Sequence, residues 1–150
     1  MRFARFVIAA GALAAGSAMA AGPCDLTIES SDAMKFSQDS LSVPAGCKKV
    51  TLKLTHTGKM PKASMGHNWV LAKASDMQAV ATDGIAAGPD KNYLKPGDAR
   101  VLAATRLIGG GESDTVTIDA TKLKAGEAYG FFCSFPGHIG LMKGTFAVTK

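Results

Sequence analysis

The chain has 150 residues, 47% of them hydrophobic and 19% charged, which gives enough apolar surface for one core and excludes a wholly disordered chain. Seventeen Lys and Arg against 12 Asp and Glu leave a net charge of +5 with no long basic block, which speaks against nucleic acid as the main partner. Seventeen Gly and 6 Pro provide many turns but follow no G-X-Y period, so the chain is not collagen-like.

Residues 1–20 read as a secretory leader. Arg2 and Arg5 make a basic start without acids, an apolar run follows from Phe6 to Ala20, and Ala18-Met19-Ala20 carries small residues before a cleavage point. The run is short for a bilayer crossing and is weakened by Gly11, Gly16 and Ser17. Cleavage after Ala20 is expected, leaving 21–150 as a single domain with no stable membrane insertion. That domain retains 15 bases against 12 acids, a net charge of +3.

Beyond the leader, apolar and polar residues alternate with the period of strands. Strands are expected at about 25–30 and 41–43. "KKVTLKLT" then sets Val50, Leu52 and Leu54 on one face and Lys49, Thr51, Lys53 and Thr55 on the other. "HNWVL" groups His67, Trp69 and Leu71. Residues 73–88 break the alternation and predict one short helix, capped by Ser75 and ending near Gly84 or Gly88. Further strands are expected at about 101–107, at "DTVTI" (Val116, Ile118), at "YGFFC" (Tyr129, Phe131, Cys133) and at "GTFAV" (Phe146, Val148). "PAG", "HTG", "KPGD", "GGGE" and "KAGE" supply the turns between them. Seven or eight short strands with one helical insertion predict an all-β, Greek-key sandwich or barrel.

Three cysteines in an exported chain leave one unpaired. Joining Cys24 to Cys47 would staple the N-terminal strand to its neighbour and leave Cys133 a thiol. Counting alone leaves the pairings of Cys24 or Cys47 with Cys133 open. A lone thiol in an oxidising compartment needs burial or a metal.

Around that cysteine the chain reads "CSFPGHIGLM", with Cys133, His138 and Met142 on one tight loop turned by Pro136 and Gly137. His67 adds a second imidazole from an upstream strand. Two imidazoles, one thiolate and one thioether are the donor set of a blue-copper electron-transfer centre. Thiolate and thioether suit Cu(I) while nitrogen suits Cu(II), so a rigid mixed set serves both states. Structural zinc recruits four strong donors, and Met is a poor zinc ligand. His56 lies outside the set and reads as a structural or titrating residue.

"MGHNWVL" at 65–71, "DKNYLKPGD" at 90–98, "FFCSFPGH" at 131–138 and "LMKG" at 141–144 carry a resemblance that spans nearly all of 21–150. The chain resembles the cupredoxins, and within them the azurin branch of type 1 blue-copper proteins. The resemblance implies a cupredoxin-like fold and one copper per chain. His67, Cys133 and His138 would be its equatorial ligands, Met142 a distant axial ligand, and the Gly66 carbonyl the opposite axial group. It pairs Cys24 with Cys47, and it makes the backbone N–H groups of Asn68 and Phe135 donors to the Cys133 sulfur. The Asn68 amide is expected to tie the two ligand loops together. Trp69 reads as core packing near the copper.

The edge of His138 would then be the electron's exit, ringed by a docking patch of Met34, Met60, Met65, Ile85, Phe135, Pro136, Gly137, Gly140 and Leu141. "HIGLM" departs from the common azurin pattern at Ile139 and Gly140. Implied partners are redox proteins such as c-type cytochromes or periplasmic reductases, met in the periplasm by a carrier of a size that usually works as a monomer. The expected function is single-electron shuttling; the alternative is a periplasmic copper-storage or delivery protein. No catalytic grouping such as an ordered Ser-His-Asp or paired carboxylates stands out, so an enzyme is not expected.

Overall fold

A computed structural model describes residues 22–150. The leader assigned to 1–20 lies outside the described residues. In chain order the strands and helices are β1 (Asp25–Ser31), β2 (Lys35–Phe36), β3 (Ser40–Pro44), β4 (Lys49–His56), α1 (Lys62–Met65), β5 (Val70–Lys73), α2 (Met77–Gly84), β6 (Ala103–Ala104), β7 (Ser113–Asp119), β8 (Tyr129–Phe132) and β9 (Lys143–Thr149). One sheet runs β2-β1-β4-β7 and the other β3-β9-β8-β5-β6. The pairs β1–β4 and β3–β9 are parallel and the remaining pairs antiparallel. The expected all-β sandwich with one helical insertion is the fold that forms.

Its core lies between the sheets. β4 sends Val50, Leu52 and Leu54 inward, joined by Ile28 and Ile118, against Leu41, Val43, Leu71, Phe131 and Phe146 of the facing sheet. Each such side chain, fully buried, contributes about 1.5–3 kcal/mol of hydrophobic stabilisation. Trp69 sits among them with no exposure, as the core-packing reading expected. The Cys24–Cys47 disulfide closes the N-terminal ends of β1 and β4, where Thr51 N–H also donates to the Cys24 carbonyl at 2.9 Å. Of the three pairings that counting left open, this is the one formed, and Cys133 is the free, buried thiol.

Three expectations need correction. Alternation treats β5 and β8 as half-buried, yet Val70, Ala72 and Phe132 on their outer face are as buried as the inner residues. They form a second small core with Val80 and Ala81, because α2 lies across that face. Ser75 does not cap α2. The residue before the helix is Asp76, already in helical backbone geometry, and neither side chain reaches a free helix N–H; Ser75 Oγ turns instead to Asp76 Oδ1 at 3.4 Å. Packing of Val80 and Ala81 therefore fixes this helix rather than a cap. The strand expected at 101–107 shrinks to Ala103–Ala104, since Thr105 Oγ1 takes the Trp69 N–H at 2.9 Å and Leu107 N–H leaves the sheet for Asn92.

Candidate metal centre

His67 stands just before β5, held to the 105–108 segment by a reciprocal bridge. His67 N–H donates to the Ile108 carbonyl at 2.9 Å and Ile108 N–H returns to His67 at 2.8 Å. Cys133 follows β8, and its N–H donates to the Met142 carbonyl at 3.0 Å. The intervening loop closes on itself through His138 N–H to Phe135 and Met142 N–H to the His138 carbonyl, at 3.0 and 2.7 Å. Gly137 makes that turn with φ of 83°, the left-handed region that glycine enters without steric cost.

These segments bring three donors together. His67, Cys133 and His138 are all buried, with ligand atoms within 4.8 Å of one another. The Cys133 sulfur lies 3.9 Å from His67 Nδ1 and 3.6 Å from His138 Nδ1. An ion bound by imidazole at about 2.1 Å and by thiolate at about 2.3 Å separates sulfur from nitrogen by about 3.8 Å in a trigonal plane. The observed distances bracket that value, so the residues fit a metal. Gly66 places its carbonyl 4.0 Å from the same sulfur, and Met142 is fully buried at the far end of the loop.

Hydrogen bonds preset the donors. His67 Nε2 donates to the Ser31 carbonyl at 2.8 Å, which fixes the proton there and leaves Nδ1 bare toward Cys133. Burial depresses the basicity of both site imidazoles. That of His138 falls to about 4, with repulsion from His67 adding to the effect. That of His67 is partly restored by its bond to Ser31. Burial likewise raises the Cys133 thiol to about 11, against the pull of N–H groups from Asn68 and Phe135 on its sulfur. Near neutral pH the imidazoles are thus neutral and ready to bind, whereas the thiol still carries a proton that a metal must displace.

Asn68 links the ligand segments. Its Nδ2 donates to Ser134 Oγ at 2.8 Å and to the Asn92 carbonyl at 3.1 Å, while its Oδ1 accepts from Ser134 N–H at 2.9 Å. Sequence reasoning missed Asn92 and Ser134 in this network, and Ser31 beneath His67. Ser31 acts through its carbonyl, which no side-chain pattern announces. His56 does not join the donors. Its ring stacks on His67 with centroids 4.5 Å apart, Gly58 N–H donates to its Nδ1 at 3.0 Å, and its Nε2 donates to the Met65 carbonyl at 2.9 Å. It is a structural backstop to His67.

Around the loop, Phe135 stacks on His138 with centroids 4.4 Å apart. Among the described residues Leu141, Ile85 and Met60 are the large apolar side chains left exposed, at 72%, 50% and 39%. Met34, Met65 and Pro136 are half-buried, and Gly137 and Gly140 are exposed. Ile139 turns the other way and packs against the small core beneath α2.

Comparison with known proteins agrees with this donor set. Residues 22–149 match the family described as copper binding proteins, plastocyanin/azurin family. The azurin of Pseudomonas denitrificans is 58% identical over 122 residues, covering 81% of this chain and 95% of that one. The azurin of Bordetella pertussis is 58% identical over 125 residues, covering 83% of each. A solved azurin (Az-iso2) from Methylomonas sp. strain J superimposes with a TM-score of 0.83 at 47% identity, covering 86% of this chain and all of its own. With the buried thiol and imidazoles in place and family and fold in agreement, the chain belongs to the plastocyanin/azurin family of copper-binding blue-copper proteins.

Proposed function

We propose that the protein is an exported, periplasmic electron carrier, cut after Ala20 and working as the single domain 21–150. His67, Cys133 and His138 would hold the copper, with Met142 and the Gly66 carbonyl as further, weaker donors. Bound copper supplies a one-electron couple between Cu(II) and Cu(I). The chain's own residues keep the donors from moving between the two states. Ser31 pins the His67 tautomer, Asn68 joins the segment of His67 to that of Cys133, and the N–H groups of Asn68 and Phe135 share the charge on sulfur.

The observation that carries this reading is the burial of the donors. His67, Cys133 and Met142 have no exposure and His138 only 3%, which suits rigid outer-sphere transfer better than copper hand-over or attack on a substrate. The His138 edge is the electron's exit. Around it Met34, Met60, Met65, Ile85, Phe135, Pro136, Gly137, Gly140 and Leu141 form an apolar surface for brief docking of redox proteins, of which c-type cytochromes and periplasmic reductases are the candidates. Among the described residues no helix is long and apolar enough to cross a membrane.

Titration of the purified protein with Cu(II), followed by ascorbate, tests the assignment. An intense thiolate-to-copper band that saturates at one copper per chain and bleaches on reduction is expected. No such band from folded protein with a free Cys133 would sink the ligand assignment. Rapid transfer of copper to a chelator from a blue protein would favour delivery over electron carriage.

A further inference from the structure

The 88–93 segment makes a turn that is costly for its sequence. Asn92 and Tyr93 both adopt left-handed backbone geometry, with φ of 55° and 51°. L-residues avoid this region; Asn tolerates it best, Tyr poorly. The turn is seated against α2, where Gly84 leaves no room for a Cβ beside the Tyr93 carbonyl. Neighbouring structure must over-determine such a conformation for it to persist.

What the turn achieves is contact with the neighbours of all three donors. The Asn92 carbonyl accepts from Asn68 Nδ2 at 3.1 Å and from Ser134 Oγ at 2.8 Å, one residue beyond His67 and one beyond Cys133. Asn92 Oδ1 accepts from Leu107 N–H at 2.8 Å, next to Ile108, which is bridged to His67. The Tyr93 ring packs edge-on to Phe135 at 5.3 Å, and Phe135 stacks on His138. Asn68 and Ser134 are almost fully buried, so these acceptors complete a polar network that cannot turn to water. Extended or right-handed backbone at 92 would aim its carbonyl elsewhere and take the acceptor from the Ser134 hydroxyl and from one of the two Asn68 amide hydrogens.

We propose that the left-handed Asn92–Tyr93 turn sets the spacing of the metal donors, with Asn92 as a positioning residue that touches no ligand. It rests on the metal assignment to His67, Cys133 and His138. Asn at 92 meets two demands at once: tolerance of positive φ and a side-chain oxygen for Leu107. Asp meets both as well, Gly only the first, and Ala neither.

The test compares copper-loaded wild type with Asn92→Ala, Asn92→Gly and Asn92→Asp. Copper loss to a chelator and the position of the thiolate-to-copper band are followed, together with solvent exchange of the Asn68 side-chain amide hydrogens in metal-free protein. Losses of this kind in groups that orient ligands cost about 10–100-fold in metal affinity, and Asn92→Ala is expected to release copper about tenfold faster or more and to shift the band. Asn92→Asp keeps the wild-type rate and band, and Asn92→Gly falls between. Amide protection is lost in Asn92→Ala and kept in Asn92→Asp. A lower melting temperature in Asn92→Ala with unchanged band and release rate overturns the inference, as does an Asp variant as impaired as Ala. Should Asn92→Ala not fold, a wild-type rate in Asn92→Gly overturns it. If wild type itself gave no blue band, the ligand assignment would fail, and the amide exchange pattern would still decide the role of Asn92 as a clamp.

Discussion

Cys133 carries the chemistry that no neighbour can replace. Its sulfur faces both Nδ1 atoms from a fully buried position, and burial alone keeps it protonated far above neutral pH. Ser at 133 fills nearly the same volume but offers no soft thiolate, so Cys133→Ser is expected to abolish the thiolate-to-copper band while the fold survives. Circular dichroism beside the visible titration checks both halves, and a blue Ser variant would refute the assignment. The same protonation state sets a stoichiometry. With the imidazoles already neutral, only the thiol must ionise, so binding one Cu(II) near pH 7 should release about one proton. A weakly buffered titration with a pH indicator measures this, and release of two or three protons would mean that an imidazole is charged before metal enters.

Gly84 shows two element-scale effects in opposition. It closes α2, where Ala would ordinarily gain about 1 kcal/mol over Gly from helix propensity. A Cβ there, however, collides with the backbone carbonyl of Tyr93, which cannot swing aside as a flexible side chain would. The collision wins, and Gly84→Ala is expected to lower the melting temperature despite the better helix former; an unchanged or raised value would show the 88–93 turn to be compliant. Leu52 supplies the contrast. Deep in β4 and far along the chain from any donor, Leu52→Ala should cost about 2–5 kcal/mol in denaturant unfolding and leave the blue band where it was. Such differences also explain what was legible from sequence. β4 was readable because one face is buried and the other wet. The outer faces of β5 and β8 were not, since alternation along a strand does not show that α2, which follows β5 but lies far along the chain from β8, folds back across both. The Cys133–His138–Met142 loop was readable because its donors are close in sequence and chemically distinctive. Asn92 was not, because half of its role belongs to a backbone carbonyl whose aim depends on φ.

For the whole molecule the same groups that prepare the metal centre decide how stability varies with pH when metal is stripped. His67 and His138 are neutral in the native state at pH values where the unfolded chain, with ordinary imidazoles near 6.5, already takes up protons. Below about pH 6.5 the unfolded state therefore binds more protons, and stability falls as acid is added, until His138 itself protonates near 4. Asp98, bound to Arg100 and held near 2, adds a further loss below its ordinary value of 3.8, because the unfolded carboxylate protonates first. On the alkaline side the sign reverses. An unfolded Cys133 ionises near 9 while the native thiol waits until about 11, so stability falls again above about pH 9. The metal-free protein should be most stable between about pH 6.5 and 9. Copper replaces the thiol proton and occupies the imidazole lone pairs, so unfolding that frees the metal takes up a proton on Cys133 below about pH 9. Across about pH 5–10 the loaded protein should keep the fall in stability below about 6.5, gain a further rise with pH between about 6.5 and 9, and lose the fall above about 9. Thermal melting of both forms across that range tests the link. Parallel curves for the two forms would mean that the site groups do not govern the pH dependence, and that its cause lies in surface charges far from the copper.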